Sequence, residues 1–263
     1  MISHPFHLIK KHIIGNWKLY LDYKTSLNYA LELQKQVHFA IPQVRIVICP
    51  SFPCLAPIYP MLDDLFLGAQ NVSMTSDYGA YTGQINAKML KQIGCSYVII
   101  GHSEVRKFLK EDNEEINQKF NLVLENQMTP ILCVGETWEQ RESGQHYEVV
   151  EDQLKTALKG AEKQSAKQPF LIAYEPVWAI GTDVACEPGD VLKIHVFIAE
   201  VVRKVIGDQD KKYFGVLYGG SVDSSNFLRY MRYSEVEGVL MGGASVKIKE
   251  FCKIVESIKK QEF

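Results

Sequence analysis

Lys18, His102 and Glu175 are the side chains of this sequence whose types and placement offer a chemistry. Each stands just past the end of a short apolar run. Lys18 closes Gly15-Asn16-Trp17-Lys18, His102 lies in Gly101-His102-Ser103-Glu104, and Glu175 follows Phe170-Leu171-Ile172-Ala173-Tyr174. A carboxylate can take a proton, an imidazole can polarise an oxygen and relay its proton, and an ammonium adds a fixed positive charge. Taken alone, each also has a structural reading: a solvated lysine, a satisfied core histidine, a cap on the turn at Pro176. Two glycine pairs, Gly219-Gly220 before Ser221 and Gly242-Gly243, follow the last two runs. Together they look like a phosphate site, because backbone N–H groups can approach an anion where no side chain intervenes. Ser221 lacks a G-x-S-x-G elbow, so it reads as a phosphate contact rather than a nucleophile. No histidine or cysteine spacing suits a metal and no glycine-rich nucleotide loop is present, so neither metal nor cofactor is expected.

Elements must exist to bring these residues together. Short apolar runs at 12–16, 44–49, 66–69, 96–100, 129–134, 170–174, 213–218 and 237–241 alternate with segments of helical periodicity. Asp112 and Pro188 open two such helices, Gly207 ends the second, and "AKMLKQIG" forms a short one after a long loop at 71–86. Strand–helix alternation implies a parallel sheet covered by helices, and eight repeats imply closure into a (β/α)8 TIM barrel, with an open doubly wound sheet as the alternative. In both architectures the working residues gather at the carboxyl ends of the strands. No linker or charge block divides the 263 residues, so a single domain is expected, with residues 1–10 a short N-terminal extension. The formal charge of −2 offers no footprint for nucleic acid or an anionic membrane, and no apolar run approaches a membrane span. An N-terminus interrupted by lysines and histidines, and six cysteines without a CxxC pair, fit reduced thiols and a cytoplasmic protein.

The motifs "GNWK" at 15–18, "IIGHSE" at 99–104, "AYEPVWAIGT" at 173–182, "YGGSV" at 218–222 and "GVLMGGAS" at 238–245 resemble those of the triosephosphate isomerases, in order and through nearly the whole chain. The resemblance implies interconversion of dihydroxyacetone phosphate and glyceraldehyde 3-phosphate through an enediolate, without cofactor. It implies Glu175 as the base, His102 as a neutral imidazole that polarises the carbonyl, and Lys18 as a fixed charge, with Asn16 a further donor. It also implies Glu104 as a supporting acid beside Lys18. The N–H groups of Gly181, Ser221, Gly242 and Gly243 would grip the phosphate. "VWAIGT" would form a lid with its apolar face on the substrate, and Tyr218 would hold that lid closed. A homodimer is implied, the loop at 71–86 reaching into a partner with Thr82 near its Asn16. Two departures stand out. Asp183-Val184-Ala185-Cys186 replaces a glycine-led second hinge, and Gln84 and Val105 replace a charge pair at the interface. A non-catalytic phosphate-binding scaffold and an isomerase of larger phosphosugars are the competing readings.

Overall fold

A parallel barrel buries both faces of its strands, which is why near-continuous apolar runs rather than alternating ones mark them. The computed structural model of the chain describes residues 11–37, 43–161, 168–182, 185–207 and 214–259. Its strands are β1 (Lys11–Asn16), β2 (Val44–Cys49), β3 (Phe66–Ala69), β4 (Tyr97–Ile100), β5 (Thr129–Val134), β6 (Phe170–Tyr174), β7 (Phe214–Tyr218) and β8 (Gly238–Met241). Each pairs parallel with the next, and β8 returns to β1 through His12↔Gly238 to Gly15↔Met241, so the sheet closes. The (β/α)8 expectation holds and the open sheet does not. The ranges 44–49, 66–69, 129–134 and 170–174 coincide with strands. Ser96 and Glu237, expected inside strands, lie just before them. Even so, the Ser96 N–H donates to the Leu67 carbonyl at 2.9 Å and the Glu237 N–H to that of Val216 at 2.9 Å. Tyr213, like residues 1–10, falls outside the described residues.

Alternation within the strands builds two cores. Ile14, Val47, Ile99, Ile131, Leu171, Leu217 and Leu240 fill the barrel interior with Cys49, Tyr97 and Cys133. Their neighbours along the strands face outward and pack under the helices, with Phe120, Phe170, Phe227 and Phe251 fully buried there. Helix starts are chemically marked. Asp112 and Glu115 form a reciprocal capping box at Asn113–Glu125, Pro188 occupies the first turn of Pro188–Ile206, and Asn86 caps Ala87–Ile93. Gly207, at φ 82°, ends Pro188–Ile206. Among the described residues no helix is long and apolar enough to cross a membrane.

The amino ends of the strands carry a buried ionic cluster remote from the strand-end residues singled out above. The Lys11 ammonium donates to the carbonyls of Val236 (2.6 Å), Tyr233 (3.2 Å) and Met231 (3.4 Å). Burial lowers its pKa to about 8, against the opposing pull of Glu237 and Glu235. Burial pushes Glu237 up to about 7, with Lys11 and Arg203 opposing. For an acid whose folded pKa lies above its unfolded value, the associated stability is present below the unfolded pKa of about 4.5 and is lost as pH rises through about 7. Glu237→Gln carries no charge at any pH and escapes that loss. Its stability relative to the parent, read from urea midpoints, is expected to improve by about 1–3 kcal/mol between pH 4.5 and pH 8. A difference that does not change with pH would contradict this account of Glu237.

Candidate active site

At the carboxyl ends of the strands lies a cavity of about 640 Å³ lined by Asn16, Lys18, His102, Glu175, Gly181, Ser221, Gly242 and Gly243. Every residue expected to react or to bind substrate therefore borders one space. Glu175 leaves β6 with its backbone tied on both sides. Its N–H donates to the Val134 carbonyl at 2.7 Å, and the Gly219 N–H donates to the Tyr174 carbonyl at 2.7 Å. Its carboxylate is 3% exposed. Oε2 accepts from the Ser103 N–H at 3.0 Å and Oε1 lies 3.2 Å from His102 Nε2. Water is thus kept off the carboxylate while two donors hold its aim.

His102 is also the cap of a helix. Its Nδ1 accepts from the Glu104 N–H at 3.2 Å, at the start of Ser103–Leu109. A ring nitrogen that accepts an amide carries no proton. This bond assigns the N–H of the imidazole to Nε2, the atom facing Glu175 and the cavity. Beneath them, burial and then the Glu175 carboxylate push the Cys133 thiol well up, so it stays protonated in this setting.

Lys18 has a backbone φ of 48°, the left-handed region, which costs a residue with a side chain about 1–3 kcal/mol. Several contacts hold it there. Its N–H donates to Asn16 Oδ1 at 3.0 Å, and its carbonyl accepts from Gln70 at 2.8 Å and Ser51 at 3.2 Å. The ammonium reaches Glu104 at 2.7 Å with only 13% of its side chain exposed, so Glu104 stands beside Lys18 as expected. Gly242 makes room for this reach, since a Cβ there would meet Lys18 Cε at 3.1 Å.

The loop after β6 divides its apolar residues between two tasks. Ile180 and Gly181 border the cavity. Trp178 turns away instead, its indole N–H donating to Glu136 at 3.0 Å and its ring meeting Trp138 edge-on at 5.5 Å. A half-buried indole N–H needs an acceptor, and the Glu136 carboxylate supplies it. Of the apolar residues in "VWAIGT", Ile180 thus lies on the cavity and Trp178 does not. Glu136 itself is 0% exposed and also accepts from Tyr174 (3.0 Å) and Arg141 (3.1 Å). Tyr218 meets the far end of the same loop: its hydroxyl accepts from the Cys186 N–H at 3.2 Å while its ring stacks on Tyr230 at 4.4 Å. Of the altered hinge Asp183-Val184-Ala185-Cys186, Asp183 and Val184 lie outside the described residues. Thr82 is exposed on the long loop and does not border this chain's own cavity.

Glu136, Arg141 and Ser103 are the functional neighbours that sequence reasoning passed over. A signal for Glu136 existed, because Gly135-Glu136 ends the fifth strand just as the other working residues end theirs. Arg141 and the Ser103 amide carry no comparable mark. Among the described residues no group of three or more His, Cys, Asp or Glu is placed to hold a metal.

The family model described as triosephosphate isomerase matches residues 11–258. The chain is 40% identical to the triosephosphate isomerase of Dictyoglomus turgidum over 250 residues, covering 94% of this chain and 99% of that one. It is 40% identical over 252 residues to that of Aquifex aeolicus, covering 95% and 100%. The crystal structure of triosephosphate isomerase from Bartonella henselae superposes with a TM-score of 0.83 at 34% identity, covering 96% of this chain and all of that one.

Gly220 provides the sharpest test of the site's packing. A Cβ on it would collide with the Tyr218 hydroxyl, which cannot retreat while it stacks on Tyr230 and binds Cys186. Gly220→Ala is expected to lower stability by about 1–3 kcal/mol, measured by denaturant midpoint, and to loosen the loop that carries Ser221. An unchanged midpoint would mean that Tyr218 is not held as described.

Proposed function

The chain belongs to the triosephosphate isomerase family, and from that premise we propose how its own residues carry the family's reaction. The reaction interconverts dihydroxyacetone phosphate and glyceraldehyde 3-phosphate through an enediolate. A proton next to a carbonyl is weakly acidic, so a fixed base must meet it while donors stabilise the oxygen that becomes negative. Glu175 is that base. His102 Nε2–H donates to the substrate oxygen, and a neutral imidazole, the known electrophile of this enzyme class, both gives and recovers that proton readily. Lys18 and Asn16 add donors and positive charge at the reacting end, with Glu104 fixing the ammonium. The amides of Gly181, Ser221, Gly242 and Gly243 take the phosphate, whose binding draws the loop over the substrate and excludes water.

The observation that supports this assignment is the facing pair Glu175 Oε1 and His102 Nε2, 3.2 Å apart at the wall of the cavity that Lys18 and the glycine turns also line. A pure phosphate binder has no use for a buried carboxylate held there at 3% exposure. We also assign a homodimer acting in the cytoplasm. Met74, Tyr78 and Tyr81 on the long loop, and Leu19 and Tyr20 beside Lys18, are 49–90% exposed, an apolar area that a second copy would cover. That copy would bring Thr82 to the site. With Gln84 and Val105 both uncharged, burial of the interface leaves no unpaired ion at these positions.

In a coupled isomerase assay, Glu175→Asp and His102→Gln are each expected to lose about 2–4 kcal/mol of transition-state stabilisation, read as kcat/KM. A parent protein that binds phosphate but does not isomerise would favour the scaffold reading. In sedimentation at low micromolar concentration the protein is expected to run as a dimer. A fully active monomer there would sink the dimer assignment.

A further inference from the structure

The phosphate end of the cavity carries a cation that the reaction scheme leaves unused. Lys247 joins the turn Gly243–Val246 to the helix Ile248–Lys259 and borders the same space as Ser221, Gly242 and Gly243. Lys18 is the other cation bordering it among the described residues, and Lys18 is already paired with Glu104 at 2.7 Å. Lys247 is exposed, and among the described residues no ion pair joins its ammonium to a carboxylate.

The nearby acids are occupied by other donors. Asp223 Oδ1 accepts from the Ser225 N–H (2.8 Å), the Ser225 hydroxyl (2.6 Å) and the Asn226 N–H (3.2 Å). Those bonds, the Ser225 hydroxyl foremost, hold its carboxyl below the usual range, with the charge of Lys247 a smaller contributor, which places the two within each other's field. Glu250 accepts from the Ser224 hydroxyl at 2.7 Å and from Lys253 at 3.2 Å. The lining therefore sets Lys18 and Lys247 against Glu175, Asp223 and Glu250, with Glu104 offsetting Lys18. Of the two lysines that border the cavity, Lys247 is the one with no carboxylate partner among the described residues.

We propose that Lys247 captures the substrate's phosphate dianion at the cavity mouth, acting through its field as a positioning residue that sets affinity and approach rate while Lys18 serves the reacting end. The inference rests on the family reading of the site and deepens it. A unit charge about 8 Å from a dianion in water changes its local concentration roughly 5-fold, and the effect fades as salt shortens the screening length.

The test compares Lys247→Met, Lys247→Arg and Lys249→Met, the last removing an equal charge two residues along that does not border the cavity. Orthophosphate binding is measured by calorimetry, and glyceraldehyde 3-phosphate turnover is followed from about 10 mM to about 0.5 M salt. Lys247→Met is expected to weaken orthophosphate binding about 5-fold and to lower kcat/KM by a similar factor through KM at low salt. The gap should close at high salt, and Lys247→Arg should restore both quantities. Unchanged orthophosphate affinity, an equal effect of Lys249→Met, or a loss that persists at high salt would each overturn the proposal. A parent without isomerase activity would defeat the family reading of the site, yet orthophosphate binding would still decide the role of Lys247.

Discussion

The facing of Glu175 and His102 is the constraint on which the site depends, and neither residue can satisfy it locally. They leave β6 and β4, which do not pair; β5 stands between them. Their separation is set by two registers, Ile100↔Leu132 on one side of β5 and Val134↔Tyr174 on the other. A shift of one residue in either would turn the side chains it carries to the opposite face of the sheet. Closure of the barrel removes that freedom, because β6 is held by β7 as well, and β7 by β8 in turn. The chemistry at the rim is therefore as accurate as the packing beneath it. That packing is a layer of branched side chains, among them Ile99, Ile131 and Leu171, with no room to slide.

Charge is treated differently at the two ends of this barrel. At the carboxyl end each buried ion has a designated partner: Glu175 has the Ser103 amide and His102, Lys18 has Glu104, and Glu136 has Tyr174, Trp178 and Arg141. Breaking such an arrangement on one side leaves the other charge stranded in a poor dielectric. At the amino end Lys11 and Glu237 are both pulled toward neutrality by burial. The working end thus holds its ionisable side chains in specific contacts, while at the opposite end burial opposes the charge of Lys11 and of Glu237. At the site itself the left-handed backbone of Lys18 is held by Asn16, Gln70 and Ser51.

Much of this was legible in the sequence, for a physical reason. Strands buried on both faces need apolar residues at consecutive positions, so β2, β5 and β6 are visible as blocks with the same bounds in sequence and structure. Residues at strand ends are visible because polar groups follow those blocks abruptly, as Glu175 follows Tyr174. What could not be read is whatever depends on which loop lies beside which. Nothing within "VWAIGT" states that the indole of Trp178 will choose Glu136, some forty positions earlier, over the cavity. Nothing around His102 states that its Nδ1 will cap its own following helix, although that bond decides which nitrogen carries the proton. Arg141 is similarly silent, since its role arises from a carboxylate on the preceding loop and a ring on the next.

These contacts give the loop after β6 two masters. Trp178 is bound at Glu136 and Cys186 is bound at Tyr218, so the loop is anchored to the barrel on both sides by side chains that do not border the cavity. Between the anchors, Ile180 and Gly181 border the cavity. A loop anchored on both sides of the residues that border the cavity responds to what those residues touch. A phosphate bound by the Gly181 amide would supply that contact, and the free energy of binding a group that does not react would then be expressed as ordering of the loop over the groups that do. Burial of Glu175 before substrate arrives makes this order sensible. With Glu175 as the proposed base, its 3% exposure would leave closure only the substrate to desolvate.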